Sequence, residues 1–305
     1  MPRFPPTTEV VGFHAGIVMK FIHTFWSKPL IETKFADYNN WLTMTLITYS
    51  YSCYCIKKLG QKIELYTDKL GAEIFSFLPY DNIHIIENLE NESVHFAAQI
   101  KFHALKNCEL GDVLIDGDTF IQKEEMIKYI EELLQEKNDL IYSFIEPSEY
   151  TLSTKNALNY NKMLEFVNQY NIRFNEPFIW PTKKEEYLWF NCSFVCLNNK
   201  ELKDKYLEQY FKHKDMLKHI DFKNTWPDVI IEQRFLTLLC KDYKTAPIIE
   251  NFYFDTKANE KALDLGFTHL GCAKFLALKQ IAEKLLKENT ILYKQTIQQI
   301  ENCKK

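Results

Sequence analysis

Two aspartates separated by one glycine, Asp116-Gly117-Asp118, carry the strongest chemical signal in the sequence. Apolar residues 113–115 precede them, and residues 119–121 continue as a second extended segment. The carboxyl end of a strand opens on the crevice where α/β sheets bind ligands. Side chains two apart on an extended chain point the same way, so both carboxylates are predicted to reach one Mn²⁺ or Mg²⁺ ion. Gly117 is expected to let a ligand approach the backbone closely.

Two other structures would give the same motif. One is a plain acidic turn between two strands. The other is the opening strand of a phosphatase of the haloacid-dehalogenase type, where Asp-x-Asp follows the first strand and a Gly-Thr pair follows the second aspartate. Here three predicted strands come first, and Thr119-Phe120 follows. The phosphatase interpretation therefore ranks below a metal site on a longer α/β sheet.

The elements that must position this motif alternate between strand and helix through the first half of the chain. Strands are predicted at residues 19–25, 63–67, 83–86, 112–115, 119–121 and 140–144. Helices are predicted at residues 37–59, 69–77, 93–105 and 126–134. Such alternation indicates a mostly parallel sheet flanked by helices. Later elements are a strand at 188–197 and helices at 156–170, 200–219, 228–240 and from 273 onward.

Composition limits the classes of protein that fit. The chain has 305 residues, 46% of them hydrophobic, and a formal net charge of −4, which argues against a nucleic-acid binder. Eight cysteines form no C-x-x-C pair and are expected to be buried free thiols in a cytoplasmic protein. No apolar run approaches the length of a membrane span. Residues 1–18, with three prolines, do not resemble a secretory signal and are interpreted as a disordered extension or an alternative start.

Seven segments, in a fixed order from residue 19 onward, resemble GT-A-type glycosyltransferases, and most closely a little-characterised bacterial family of similar length. The segments are HTFWSKPL (23–30), ELYTDKLG (64–71), AAQIKFHAL (97–105), IDGDTF (115–120), FNCSFV (190–195), IIEQRFL (230–236) and THLGCAKF (268–275). The resemblance implies a Rossmann-like nucleotide-sugar fold over residues 19–305. Its nucleotide-binding half would be 19–150, its donor-sugar and acceptor half 151–272, and its C-terminal helix 273–305.

The same resemblance implies a metal site made of Asp116, Asp118 and His269. It also places Lys274 against the diphosphate as a point charge. Related enzymes carry His-x-x-Gly-x-x-Lys, whereas here Gly271 comes two residues after His269 and Lys274 comes five after. A turn histidine beside a conformational glycine is the alternative interpretation.

Nucleotide contacts are implied for residues at the ends of the first strands and in the helix before the metal motif. They are His23, Thr24, Trp26, Asp68, Lys101 and Gly117. Three of them have structural alternatives. Trp26 could fill the core, Asp68 could cap the next helix, and Lys101 could be a solvated surface lysine.

Catalytic roles are implied for Asn191, Glu232 and Gln233. Asn191 matches a region that faces the donor sugar or acceptor. Glu232 would be the general base of an inverting enzyme, whereas Gln233 would stabilise the oxocarbenium-like state of a retaining one. The alternative is a helix with a polar, solvated face.

The function expected from these observations is transfer of a sugar from a nucleoside-diphosphate sugar, with UDP as the nucleotide. The acceptor would be a glycan, a lipid-linked molecule or a protein, in surface glycan or polysaccharide synthesis. A metal-dependent phosphatase or nucleotidyltransferase, or a non-catalytic nucleotide-sugar-binding protein, are the alternatives. The final helix carries Phe275, Leu278, Ile281 and Leu285 at helical spacing, and we expect it to pack on its own domain rather than on a partner or a membrane surface.

Overall fold

Eleven strands lie in the parts of the chain that the computed structural model describes, residues 18–32, 37–146, 189–217, 230–250 and 256–304. They are β1 (Lys20–Phe25), β2 (Lys62–Thr67), β3 (Asn82–Ile85), β4 (Val113–Ile115), β5 (Thr119–Ile121), β6 (Leu140–Tyr142), β7 (Ile145–Glu146), β8 (Trp189–Phe190), β9 (Phe194–Leu197), β10 (Thr245–Pro247) and β11 (Phe267–His269). Seven of them form one sheet in the order β10-β6-β9-β4-β1-β2-β3. Two short antiparallel pairs, β11-β5 and β7-β8, lie beside it.

The main sheet is mostly parallel, as the alternation of strands and helices predicted. β1 runs parallel to β2 and β4, β2 runs parallel to β3, and β6 runs parallel to β10. Only β9, between β4 and β6, runs antiparallel to its neighbours in this sheet. Because β1 and β4 are parallel and adjacent, the residues that follow them meet at the same edge of the sheet.

Ten α-helices surround the strands in the described residues. They are α1 (Ser27–Glu32), α2 (Tyr38–Lys58), α3 (Lys69–Phe75), α4 (Gln99–Asn107), α5 (Glu124–Gln135), α6 (Lys200–Leu217), α7 (Phe235–Leu239), α8 (Thr256–Leu265), α9 (Lys274–Glu288) and α10 (Thr290–Cys303). A π-helical turn, Ile230–Arg234, leads directly into α7.

Both faces of the sheet are covered, so the strands are apolar on both sides. Phe21 and Phe25 of β1 pack into a core with α2, α3, α5, α9 and α10, whereas Ile22 packs into a second core with α4, α6 and α7. This division follows from the alternation of side chains along a strand. The two cores explain why β4, β6 and β9, in the interior of the sheet, are continuous apolar runs.

Several boundaries differ from the sequence-based expectation. The predicted final helix is two helices, because Asn289 leaves the helical region (φ −148°, ψ 82°) and its side chain caps α10 at Leu292 N. The predicted strand 188–197 is two strands in different sheets, separated by a turn in which Asn191 Oδ1 accepts a hydrogen bond from Ser193 N. Ser93 caps a short 3-10 turn ahead of α4 rather than α4 itself. The helix predicted at 156–170 lies outside the described residues.

The predicted thiols and C-terminal packing can be followed in the described residues. Six cysteines are buried and free, and Cys303 is a half-buried free thiol. In α9, Ile281 and Leu285 are buried in the first core, as expected, while Phe275 remains 47% exposed. Among the described helices, none is long and apolar enough to cross a membrane.

Candidate metal site and adjoining cavity

The Asp-x-Asp motif forms a tight turn rather than the extended chain predicted from the sequence. Thr119 N donates to the carbonyl of Asp116 (2.9 Å), which closes a four-residue turn between β4 and β5. Asp116 N donates in turn to the carbonyl of Ser193, at the start of β9 (2.9 Å). The motif therefore lies in a turn between β4 and β5, and its position at the edge of the sheet brings both carboxylates to one place.

Strand pairing brings a histidine to the same turn. β11 runs antiparallel to β5, with His269 opposite Thr119, and Leu270 N donates to the carbonyl of Asp118 (3.1 Å). His269 Nε2 lies 3.8 Å from Asp118 Oδ2. One ligand atom each from Asp116, Asp118 and His269 lie within 4.8 Å of one another. The three residues that the resemblance implied as a metal site are thus brought together despite the altered His-Gly-Lys spacing.

The chemistry of this cluster fits a divalent cation. Two carboxylate oxygens and an imidazole nitrogen suit Mn²⁺, and the carboxylates also suit Mg²⁺. Asp118 Oδ2 is shielded from solvent and accepts no well-formed hydrogen bond within the described residues, although Lys274 Nζ lies 3.0 Å away. A buried carboxylate oxygen with a charged neighbour but no aligned donor is suited to bind a cation.

Two lysines supply positive charge to the cluster. Lys101 Nζ lies 2.7 Å from Asp116 Oδ1 and 2.7 Å from Glu232 Oε1, so it bridges the two carboxylates. Lys274 Nζ lies beside Asp118. The side chain of Lys101 is only 15% exposed, which excludes the solvated surface lysine considered from the sequence.

Burial and charge act against each other on these groups. Burial alone would lower the pKa of Lys101, but the carboxylates of Asp116 and Glu232 raise it well above its usual value. Burial would raise the pKa of Asp118, but Lys274 and His269 hold it below its usual value. For His269 burial prevails over the nearby aspartates and lowers the pKa, so the imidazole is neutral at neutral pH and its ring nitrogen can bind a metal.

A cavity of about 420 Å³ opens above this cluster. Asp116, Asp118, Lys101, Glu232 and Lys274 line its charged end. One face of α2 lines the opposite wall, with Trp41, Met44, Thr45 and Thr48 at the spacing i, i+3, i+4, i+7. Sequence reasoning missed this wall, and that spacing is the signal that would have identified it.

Gly117 has a different neighbour from the one expected. A Cβ at this position would lie closer than 3.0 Å to three ring carbons of Tyr49, so the ring of Tyr49 already occupies the space that the sequence assigned to a ligand. Tyr49 OH donates to the carbonyl of Thr24 (2.6 Å). The glycine is thus explained by packing within the protein, although Gly117 and Tyr49 both border the cavity.

The residues implied as nucleotide contacts divide into two groups. Thr24 and Trp26 line the cavity, and Trp26 Nε1 is buried without a hydrogen-bond acceptor in the described part of the chain. His23 does not line it, because its ring is buried and contacts Tyr80 OH (2.8 Å) and Ser52 Oγ (3.0 Å). Asp68 also lies away from it, capping α3 at Gly71 N (3.0 Å) and accepting from the hydroxyl of Ser27. A contact with a ligand in this cavity is therefore not supported for His23 or Asp68, although Asp68 and Trp26 both line a second cavity of about 330 Å³.

The three implied catalytic residues also divide. Glu232 lines the cavity and its side chain is 8% exposed, so the alternative of a solvated helix face is wrong for this residue. Asn191 is buried and shapes the turn before β9. Gln233 does not line the cavity, and its Oε1 is buried without a hydrogen-bond donor among the described residues. Only Glu232 of the three is positioned to meet a ligand in this cavity.

Fold and site together define an α/β protein with a candidate divalent-cation site at the carboxyl edge of its sheet. The chain belongs to the Family of unknown function (DUF6734), whose model matches residues 19–300. No curated protein sequence matches it.

Two solved structures of similar fold cover most of the chain. The galactosyltransferase LgtC, solved with donor and acceptor sugar analogues, is 10% identical with a TM-score of 0.36, and the alignment covers 75% of this chain and 73% of that one. Mouse xyloside xylosyltransferase 1, in its apo form, is 10% identical with a TM-score of 0.38, and the alignment covers 75% and 84%. At these values no residue role is transferred from either structure.

Proposed function

We propose that the protein is a metal-dependent glycosyltransferase that uses a nucleoside-diphosphate sugar, with UDP as the nucleotide. The observation that carries the proposal is the convergence of Asp116, Asp118 and His269 within 4.8 Å, with the two aspartates at the charged end of a cavity. The seven sequence segments that resemble GT-A enzymes also support it, and two of these segments contain the metal motif and His269. Acceptors of the proposed reaction are a glycan, a lipid-linked molecule or a protein.

The residues of the site have separate roles in the proposed reaction. Asp116, Asp118 and His269 would hold Mn²⁺ or Mg²⁺, which when bound supplies Lewis-acid stabilisation to the departing diphosphate. Lys274 lies at the same end of the cavity, and its ammonium stabilises negative charge that develops on the leaving group. Trp41 and Met44 of α2 give the cavity an apolar surface that limits access of water to the donor, and so limits its hydrolysis.

Glu232 is the proposed contact with the acceptor. Its carboxylate lines the cavity and is held by Lys101, which itself pairs with the metal motif. In an inverting reaction this carboxylate removes the proton of the acceptor hydroxyl, whereas a retaining reaction needs no base at that position. The free, buried thiols support a reducing compartment such as the cytoplasm.

Thermal unfolding with nucleotides and metals tests the proposal. A ligand at about one hundred times its Kd stabilises the fold by about 2.7 kcal/mol, which is easily seen as a raised Tm. We expect stabilisation by UDP and one UDP-sugar that requires Mn²⁺ and disappears in Asp118→Asn. The matched control is Asp204→Asn, which removes an exposed carboxylate that pairs with Lys200 on the surface of α6, and should respond like the wild type.

The products of the reaction separate the proposal from its alternatives. Incubation with the stabilising UDP-sugar should release UDP, slowly with water and faster with the correct acceptor. Release of inorganic phosphate or pyrophosphate instead would indicate a phosphatase or nucleotidyltransferase. Failure of every nucleotide and metal to bind the folded wild-type protein would refute the proposed function.

A further inference from the structure

A buried series of hydrogen-bonded side chains contacts the turn that carries Asp116 and Asp118. Ser52 Oγ, on α2, donates to the carbonyl of Thr119 (2.6 Å), which is the last residue of the turn. His23 Nε2, on β1, lies 3.0 Å from the same hydroxyl, and His23 Nδ1 lies 2.8 Å from Tyr80 OH. Ser52, His23 and Thr119 are all fully buried, so water does not compete for these bonds.

The proton positions in this chain follow from simple counting. A serine hydroxyl has one proton, and Ser52 uses it on the Thr119 carbonyl, so its oxygen accepts from His23 Nε2–H. His23 Nδ1 then accepts from Tyr80 OH. Burial lowers the pKa of His23 to about 3, although Asp118 acts to raise it, so the ring stays neutral and keeps this tautomer at neutral pH. Each hydrogen-bond donor in this series therefore has one defined acceptor.

Tyr49, which lies three residues before Ser52 on α2, makes a second contact with the turn. The Tyr49 ring packs directly over Gly117, as the space available to a Cβ shows. Its hydroxyl is fixed on the Thr24 carbonyl (2.6 Å), at the end of the neighbouring strand β1. Tyr49 and Ser52 lie on one face of α2, so a single helix contacts the turn at both its middle and its end.

We propose that Tyr49, Ser52 and His23 form a clamp that fixes the Asp116–Thr119 turn and thereby sets the affinity of the protein for a divalent cation. The inference rests on the proposed function only through its cation site. None of the three residues is a metal ligand; they are positioning residues that act through the backbone of the turn. Partners that orient metal ligands without touching the metal typically change its affinity by about 10–100-fold when removed.

A matched pair of serines on α2 tests the clamp. Ser52→Ala removes the bond to the turn, whereas Ser50→Ala removes an equally buried hydroxyl that contacts Thr296 of α10 (2.9 Å). Mn²⁺ binding would be measured by the loss of the free-ion electron paramagnetic resonance signal, with and without UDP, together with unfolding in urea. We expect Mn²⁺ affinity to fall about tenfold in Ser52→Ala and less than twofold in Ser50→Ala, at similar losses of stability.

A second variant keeps the test decisive if Ser52→Ala does not fold. Tyr49→Phe leaves the ring over Gly117 and removes only the hydroxyl bond to Thr24, and we expect about fivefold weaker Mn²⁺ binding. Unchanged Mn²⁺ affinity in both clamp variants, with a wild-type protein that binds Mn²⁺, would overturn the clamp and leave the proposed function intact. A wild-type protein that binds no Mn²⁺ in either condition would overturn both.

Discussion

The clearest test of how the metal-bearing turn is built is Gly117→Ala. The sequence alone suggested that this glycine makes room for a ligand, whereas the structure places the Tyr49 ring there. Gly117 is absent from the residues with positive φ, so an alanine meets no backbone strain and its whole cost is steric. The two explanations differ in whether the ligand-free protein is destabilised.

The steric cost can be estimated from the surroundings of the ring. Tyr49 is tied to Thr24 by its hydroxyl, and its ring contacts those of His23, Phe25 and Phe75, with centroids 4.9–5.9 Å apart. A ring held on several sides cannot move aside freely, and overpacking of this kind costs about 1–3 kcal/mol. Replacing glycine restricts the unfolded chain and recovers about 0.4–1 kcal/mol. The expected net loss is about 1–2 kcal/mol in the free energy of unfolding, roughly a five- to thirtyfold change in the folded-to-unfolded ratio.

Urea unfolding without metal or nucleotide measures this loss. A second variant, Tyr49→Ala, removes the ring that the new methyl group would meet. The double variant should lose less unfolding free energy than the sum of the losses in the two single variants. The difference, which is the coupling energy, should be about 1–2 kcal/mol. If Gly117→Ala left the unfolding free energy within about 0.5 kcal/mol of wild type and abolished UDP binding, the space would serve a ligand and our reasoning would be wrong.

Three further predictions address charged groups, two of them in the site and one on β2. Lys101→Met leaves two carboxylates without their shared cation, so the metal-free protein should lose about 3 kcal/mol of stability, and Mn²⁺ should raise its Tm more than that of the wild type in a thermal shift assay. Glu232→Gln should reduce the transfer rate at least ~100-fold at unchanged UDP affinity if the carboxylate is the general base, and steady-state kinetics with less than a tenfold change would reject that role. Burial would raise the pKa of Glu64, but hydrogen bonds to Asn82 and His84 lower it, so its stabilisation is present above about pH 4.3 and is lost as pH falls through the folded-state pKa. When the pH falls from 7 to 3, Glu64→Gln should therefore lose less unfolding free energy than the wild type, as measured by urea titrations. The difference between the two proteins should be under about 1 kcal/mol, and an equal loss would refute this assignment.

Local sequence patterns predicted the strands that carry the metal motif, because β1 and β2 are mostly buried and rich in apolar residues and β4 is apolar throughout. They did not predict β11, which has only three residues and pairs with β5 across almost 150 positions of the chain. Pairing between distant segments depends on tertiary packing rather than on local preference. His269 could therefore be proposed as a ligand only by resemblance, since the pairing that places it beside Asp118 leaves no local signal.

Two of the implied nucleotide contacts, His23 and Asp68, do not line the cavity beside the metal cluster. Both residues lie at or near the carboxyl ends of strands, where ligands of α/β proteins bind, and sequence position alone made them candidates. Thr24 and Phe25, the last two residues of β1, line the cavity. The ring of the preceding His23 is one residue further from the strand end, is fully buried and contacts Ser52 of α2. Asp68 is committed to the first turn of α3, a local role its sequence position also allowed.

The charges of the site link cation and nucleotide binding in the proposed function. Three carboxylates, of Asp116, Asp118 and Glu232, face two ammonium groups, of Lys101 and Lys274, while the buried imidazole is neutral, so the cluster carries one net negative charge. A diphosphate alone would be repelled by this net negative charge. The two lysines that could bind it are already paired with carboxylates. A divalent cation reverses the net charge and takes over the two aspartates, which releases Lys274 to meet the phosphates. Each ligand thus removes an electrostatic cost of binding the other, and reciprocity requires that UDP tighten Mn²⁺ binding by the same factor as Mn²⁺ tightens UDP binding.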